Sequence, residues 1–176
     1  MASTYPSMAA HLPAEATPEQ LLTVEQAYEL LNIACKHGKP LVGASRHGWL
    51  AGAVQRIADK YEVGNLDFLY CKPWEASTGC CAFLFKQKDI ERVIEELALI
   101  LDRAETEPDI FADALEDCDA EDVLSDLHSA SASLNPQVDD GCAPNYLFAY
   151  LKSLKWFCES ARDANCALLY AQWNGG

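Results

Sequence analysis

"GCCAFLFKQKDIERVIEELALILDRAE", Gly79–Glu105, changes its hydrophobic period part-way through. "GCCAFLFK" is a continuous β-prone run bounded by a glycine, too short for a helix and rich in aromatic and aliphatic side chains. From Asp89 the pattern switches. Ile90, Val93, Ile94, Leu97, Leu101 and Ala104 recur at spacings of three and four with charges on the opposite side, which is an amphipathic helix. A strand that feeds a helix fits several fold classes, so the flanking sequence must decide between them.

Upstream, "NLDFLYCKP" is a second β-prone run, separated from "GCCAFLFK" by "WEAST", with Pro73 and Gly79 as punctuation. The pair predicts a hairpin whose loop carries Trp74. Further upstream, "KPLVGAS" reads as a short strand. "RHGWLAGAVQRIADKYEVG" reads as a helix through Leu50, Ala53, Val54, Ile57, Ala58 and Tyr61. "TVEQAYELLNIACKHG" predicts a helix with Val24, Ala27, Tyr28, Leu31 and Ala34 on one face, Thr23 and Gln26 spaced as a capping box and Gly38 as a stop. Residues 1–18, "MASTYPSMAAHLPAEATP", mix small residues with three prolines, show no period and read as a flexible arm.

Downstream, two short helices are expected, one at Ile110, Phe111, Ala114 and Leu115, the other at Val123, Leu124, Leu127, Ser131 and Leu134. After the loop "NPQVDDGCAP", "NYLFAYLKSLKWFCESARDAN" aligns Leu147, Tyr150, Leu151, Leu154, Cys158 and Ala161 as a long helix, and "CALLYAQW" closes as a strand. Tyr146, Phe148, Trp156 and Phe157 cannot all lie on that helix's buried stripe, so one or two should pack peripherally or stay exposed. Helices and strands interleave without a regular strand–helix repeat. This predicts an α+β fold: a single domain over residues 19–176 with a small mixed or antiparallel sheet packed with several amphipathic helices, and an acidic helical segment at 105–140. The predicted hairpin followed by "DIERVIEELALIL", and the terminal helix followed at once by "CALLYAQW", resemble the layout of the YfbM-like family of small bacterial proteins of unknown function, over roughly residues 66–176. The resemblance implies no catalytic residue.

The 176 residues are half apolar and carry a net charge of −14, enough chain for one core and far from the disordered regime. That charge excludes docking on nucleic-acid phosphates or anionic lipid through a basic face. It is also localised. Between Arg103 and Lys152, 48 residues hold no Lys or Arg and twelve acids, whereas the other 128 residues sum to only −2. No stretch reaches the roughly 18 apolar residues of a membrane span, and Met1–Leu12 lacks a basic leader followed by a long apolar run. A cytoplasmic location with reduced thiols is therefore expected. Cys35, Cys71, Cys118, Cys142, Cys158 and Cys166 stand alone, Cys80 and Cys81 are adjacent, and the absence of any C-x-x-C leaves no zinc spacing.

Within the acidic segment, Asp117, Asp119 and Glu121 alternate like calcium-loop ligands. That loop needs Gly at its sixth position and Glu at its twelfth, where Asp122 and His128 stand. No metal, cofactor or catalytic residue is predicted. The expected site is a partner-binding face of Asp113, Glu116, Asp117, Asp119, Glu121, Asp122 and Asp126 with Trp156. A basic protein partner, a toxin or a nucleic-acid-processing complex, would meet it, and a bacterial immunity or inhibitor protein is the expected class. The alternative is "GASRHGW", Gly43–Trp49, between a strand and a helix, where Ser45, Arg46 and His47 would help backbone N–H groups hold an anion or phosphate in a small binding domain or enzyme. Its spacing matches neither phosphate-loop fingerprint.

Overall fold

The computed structural model describes residues 7–21, 23–37, 41–43, 48–71, 76–115, 118–134 and 144–173. In chain order its elements are β1 (Ser7–Leu12), α1 (Val24–His37), β2 (Leu41–Gly43), α2 (Gly48–Lys60), β3 (Cys80–Phe85), α3 (Gln87–Thr106), α4 (Pro108–Ala112), α5 (Ala120–Ser129), α6 (Pro144–Asp163) and β4 (Ala167–Trp173). Single 3-10 turns lie at Ala14–Ala16 and Asp67–Leu69. The strands form one antiparallel sheet in the order β2-β1-β4-β3, and the fold is α+β.

Two expectations from the sequence are corrected. Part of the segment read as a flexible arm is an interior strand: Ser7–Leu12 registers with Gln172–Ala167 of β4 on one side, and its first residues register with Gly43–Leu41 of β2 on the other. Ala9, Ala10 and Leu12 are buried on its two faces. Small side chains suit a strand pressed between two others, although their intrinsic β preference is low. Among the described residues the expected hairpin is absent as well, and Trp74 lies outside them. Asp67–Leu69 makes a 3-10 turn with Phe68 and Leu69 buried, and β3 pairs with β4 at the far end of the chain. Phe68 packs against Phe83, Phe85 and Tyr170, so its apolar run fills core and carries no ladder.

The two sheet faces have different covers. Leu30 and Leu31 of α1 pack on Ala10, Leu12, Leu169 and Ala171. The opposite face, with Ala9, Leu168 and Tyr170, joins the large core built with α2, α3, α5 and α6. There α3 buries Ile90, Val93, Ile94, Leu97, Ile100 and Ala104, with Leu101 only half-buried. The most enclosed helix is α6, whose Tyr146–Leu151 run is buried all round. Such a helix needs cover on every side, which sheet, α3 and α5 provide. It ends in a Schellman reversal: Asn165 takes a φ of 51°, Cys166 N–H donates to Ala161 C=O at 2.8 Å, and Asn165 N–H to Arg162 C=O at 3.0 Å. Asn tolerates that left-handed position, and the chain turns straight into β4.

His11 on β1 donates from Nε2 to Phe157 C=O at 3.1 Å and lies over the Phe157 ring. Burial lowers its pKa below the ordinary 6.5, partly opposed by that hydrogen bond. The unfolded chain therefore takes up the proton first as pH falls, so this contribution to stability is complete above about 6.5 and declines below it. Thermal melts from pH 7.5 to 5 should show a falling midpoint, and His11→Gln, which keeps a donor, should reduce the slope; equal slopes would show that His11 does not titrate on unfolding.

Candidate functional site

The acidic segment begins where α3 ends. Pro108 occupies the first turn of α4, a position that needs no N–H donor, and Phe111, Ala112, Ala114 and Leu115 turn into the core while Ile110 stays exposed. Asp119 then starts α5. Its Oδ1 accepts from the N–H groups of Glu121 and Asp122 at 2.9 and 3.0 Å, and Asp122 Oδ2 accepts from Asp119 N–H at 3.3 Å. This reciprocal box satisfies the helix start and places negative charge at the positive end of its dipole. Val123, Leu127 and Ala130 are buried, Leu124 is half-buried, and α5 packs on α6 and α3.

Asp113, Asp119, Glu121 and Asp122 are consequently exposed, and Asp126 is half-buried. Nearby cations mostly engage other partners. Lys152 Nζ donates to the Leu127 and Ala130 carbonyls at 2.5 and 2.8 Å, closing the C-terminal end of α5. Arg103 pairs with Glu107, and Arg56 Nε donates to Ala114 C=O at 2.7 Å. His128 meets Glu105 at 2.7 Å, and Lys60 approaches Asp113 only to 3.9 Å. Among the described residues, no ion pair includes Asp119, Glu121, Asp122 or Asp126.

Trp156 is 42 % exposed on α6, one turn beyond Lys152, whereas Tyr146, Phe148 and Phe157 are buried. It lies beyond the lysine that caps the C-terminal end of α5, while Asp119, Glu121 and Asp122 stand at the N-terminal end. Glu116 and Asp117 lie outside the described residues, as do Ser45, Arg46 and His47 of the alternative site. Of "GASRHGW", the structure describes Gly43, in register with Ser7, and the α2 start at Gly48.

One polar group was not anticipated. Ser7, Gln172 and Cys81 form a single row across β1, β4 and β3, continued by Gly43 on β2. Ser7 and Gln172 are each only 1 % exposed. Cys71 donates its thiol to Gln172 Oε1 at 3.5 Å, and two residues along β4 the buried hydroxyls of Tyr150 and Tyr170 meet at 2.9 Å. Burial, then the neighbouring Cys81, raises the Cys71 pKa; burial also raises that of Cys80 and pushes the Cys158 thiol up to about 12. These three thiols are held protonated, the opposite of what a nucleophile needs. Cys71, Cys80, Cys81, Cys158 and Cys166 form no disulfide. Gln172 was the one polar residue in an apolar strand, a signal that could have flagged the row.

Among the described residues, no three His, Cys, Asp or Glu side chains converge as metal ligands would, and no helix is long and apolar enough to cross a membrane. Comparison with protein-family models, with curated proteins and with solved structures finds no match.

Proposed function

We propose that this chain is a non-catalytic interaction protein of the immunity or inhibitor type, acting in the cytoplasm, whose acidic α4–α5 face docks on a basic surface of another protein. The observation that carries the reading is the outward charge of α5, where no described ion pair includes Asp119, Glu121, Asp122 or Asp126: its apolar side is committed to the core, and Lys152 on the adjoining helix is spent on backbone carbonyls. The capping box and the helix dipole account for the acids in the first turn of α5, but Asp113 and Asp126 lie outside that turn, where added like charge only repels. Against a basic surface the same charges accelerate encounter and fix register. Trp156 supplies an exposed aromatic on the adjoining helix, a residue type enriched at binding hot spots.

The test compares the parent with Asp113→Asn/Glu121→Gln/Asp122→Asn/Asp126→Asn as baits in host lysate. The variant should fold with a melting temperature close to the parent's, since the relieved repulsion offsets the lost dipole interaction of Glu121 and Asp122 and the Asp119 cap stays in place. A basic protein should be retained by the parent at about 0.1 M salt, where the screening length is about 10 Å, and released near 1 M, where it is about 3 Å. The variant should fail to retain it. Identical profiles from both baits would reduce α4–α5 to a solvated surface.

A further inference from the structure

A second surface lies at the end of the sheet away from β2. Among the described residues β3 pairs only with β4, so alternate N–H and C=O groups along its other edge face outward. Two carbonyls at its start have local donors: Cys80 C=O accepts from Thr78 Oγ1 at 3.3 Å, and Cys81 C=O from the Cys80 thiol at 3.7 Å. From Ala82 to Phe85 no such device intervenes among the described residues. Exposed edges are ordinarily blunted by charge, proline or a bulge, yet "CCAFLF" holds neither a charge nor a proline, and its register with β4 runs without a break.

A groove follows this edge. One bank is the segment entering α1, with Leu21, Val24 and Glu25 opposite Cys80 and Ala82. Leu21 and Ala82 also border a second depression, where Glu19 and Gln20 face Leu84. On the β3 side the lining is apolar, with Cys80, Ala82, Phe83 and Leu84. Tyr28, 48 % exposed, reaches the Cys80 thiol at one end, and the Lys86–Glu19 ion pair at 3.0 Å marks the other. Three carboxylates, Glu19, Glu25 and Asp89, border the groove against one ammonium, Lys86.

We propose that the free edge of β3 and this groove dock an extended, basic segment of a partner protein, which adds to the sheet as a fifth strand. Backbone hydrogen bonds would hold it, and every second side chain, a Lys or Arg, would lay its apolar stem beside Leu21 and Val24 and bring its charge to Glu19 and Glu25, while the intervening apolar side chains turn to the opposite face of the sheet. Charge selects this occupant over a second copy, which would bring the same carboxylates against the same rim within a chain of net charge −14. The site does not depend on the α4–α5 reading, since α1 and α5 cover opposite faces of the sheet.

The probe is an end-blocked peptide of alternating Val and Lys, about eight residues long to span a strand at about 3.3 Å per residue. It is used with the full chain, and binding is read by fluorescence anisotropy and amide chemical shifts. The peptide should bind saturably, shift the β3 amides, and outcompete a Val/Glu analogue. Of two forms N-methylated on alternate residues in opposite phase, one should lose about tenfold or more in affinity and the other should not. Glu19→Gln/Glu25→Gln should weaken binding severalfold, while Glu121→Gln/Asp122→Asn/Asp126→Asn should leave it unchanged. Absence of binding, equal binding by both N-methylated forms, loss of binding in the α5 variant, or a concentration-dependent dimer that protects the β3 amides would each overturn the proposal.

Discussion

A chain lacking residues 1–12 is expected not to fold: circular dichroism should show no cooperative thermal transition where the full chain gives one. The removed segment contains β1, which registers with six residues of β4 and three of β2, so its loss would strand β2 and open the inner edge of β4. Leu168, Leu169 and Tyr170, all fully buried, would lose cover, and the β4 backbone groups would lose their ladder partners. A point substitution separates this from a mere length effect. Ala9 registers with Leu41 on one side and Tyr170 on the other, so Ala9→Pro removes a ladder donor and forces a proline into an interior strand, where it is essentially never found. An unchanged melting temperature in either variant would restore the flexible-arm reading of residues 1–18.

That arm shows where local reasoning stops. The helices α3 and α6 were legible because a 3.6-residue period is written within the segment itself. "SMAAHL" carries no such message: its alanines favour helix, and it becomes a strand only because β2 and β4 close on both sides. "NLDFLYCKP" failed differently. A short apolar run has no period to separate a strand from a buried turn, and Phe68 satisfied its burial by filling core between Phe83, Phe85 and Tyr170.

The candidate surfaces divide along the same line. The acidic face could be read directly, since charge belongs to the sequence and the stripe Val123–Leu127 fixes which way α5 turns it. The Ser7–Gln172–Cys81 row could not, because its members come from three strands that meet only through the sheet order. The β3 edge is also a property of topology: "GCCAFLFK" reads as a strand anywhere, and only its place beside β4 makes it the last one. A hairpin with "NLDFLYCKP" would have given it a partner on both sides and hidden the groove.

Phe148→Ala is expected to cost about 3–5 kcal/mol, the range for truncating a large buried aromatic. Phe148 is fully buried on α6, with its ring centroid 5.7 Å from that of Phe111, so truncation removes transfer energy and also leaves a space between α6 and α4. Domains of this kind are stabilised by about 5–15 kcal/mol, so the loss is a large share, and at about 2–4 °C per kcal/mol it lowers the melting temperature by roughly 6–20 °C. Leu97→Ala, on the buried face of α3, should fall in the neighbouring range of about 2–5 kcal/mol. Trp156→Ala supplies the contrast. It is the larger side chain on the same helix, but at 42 % exposed it leaves no enclosed cavity, and its truncation should stay within about 0.5 kcal/mol. Denaturant titrations of the three variants decide the matter: a costly Trp156→Ala would mean that its ring is needed by the fold, and would remove it from the partner-facing surface on which the proposed function places it.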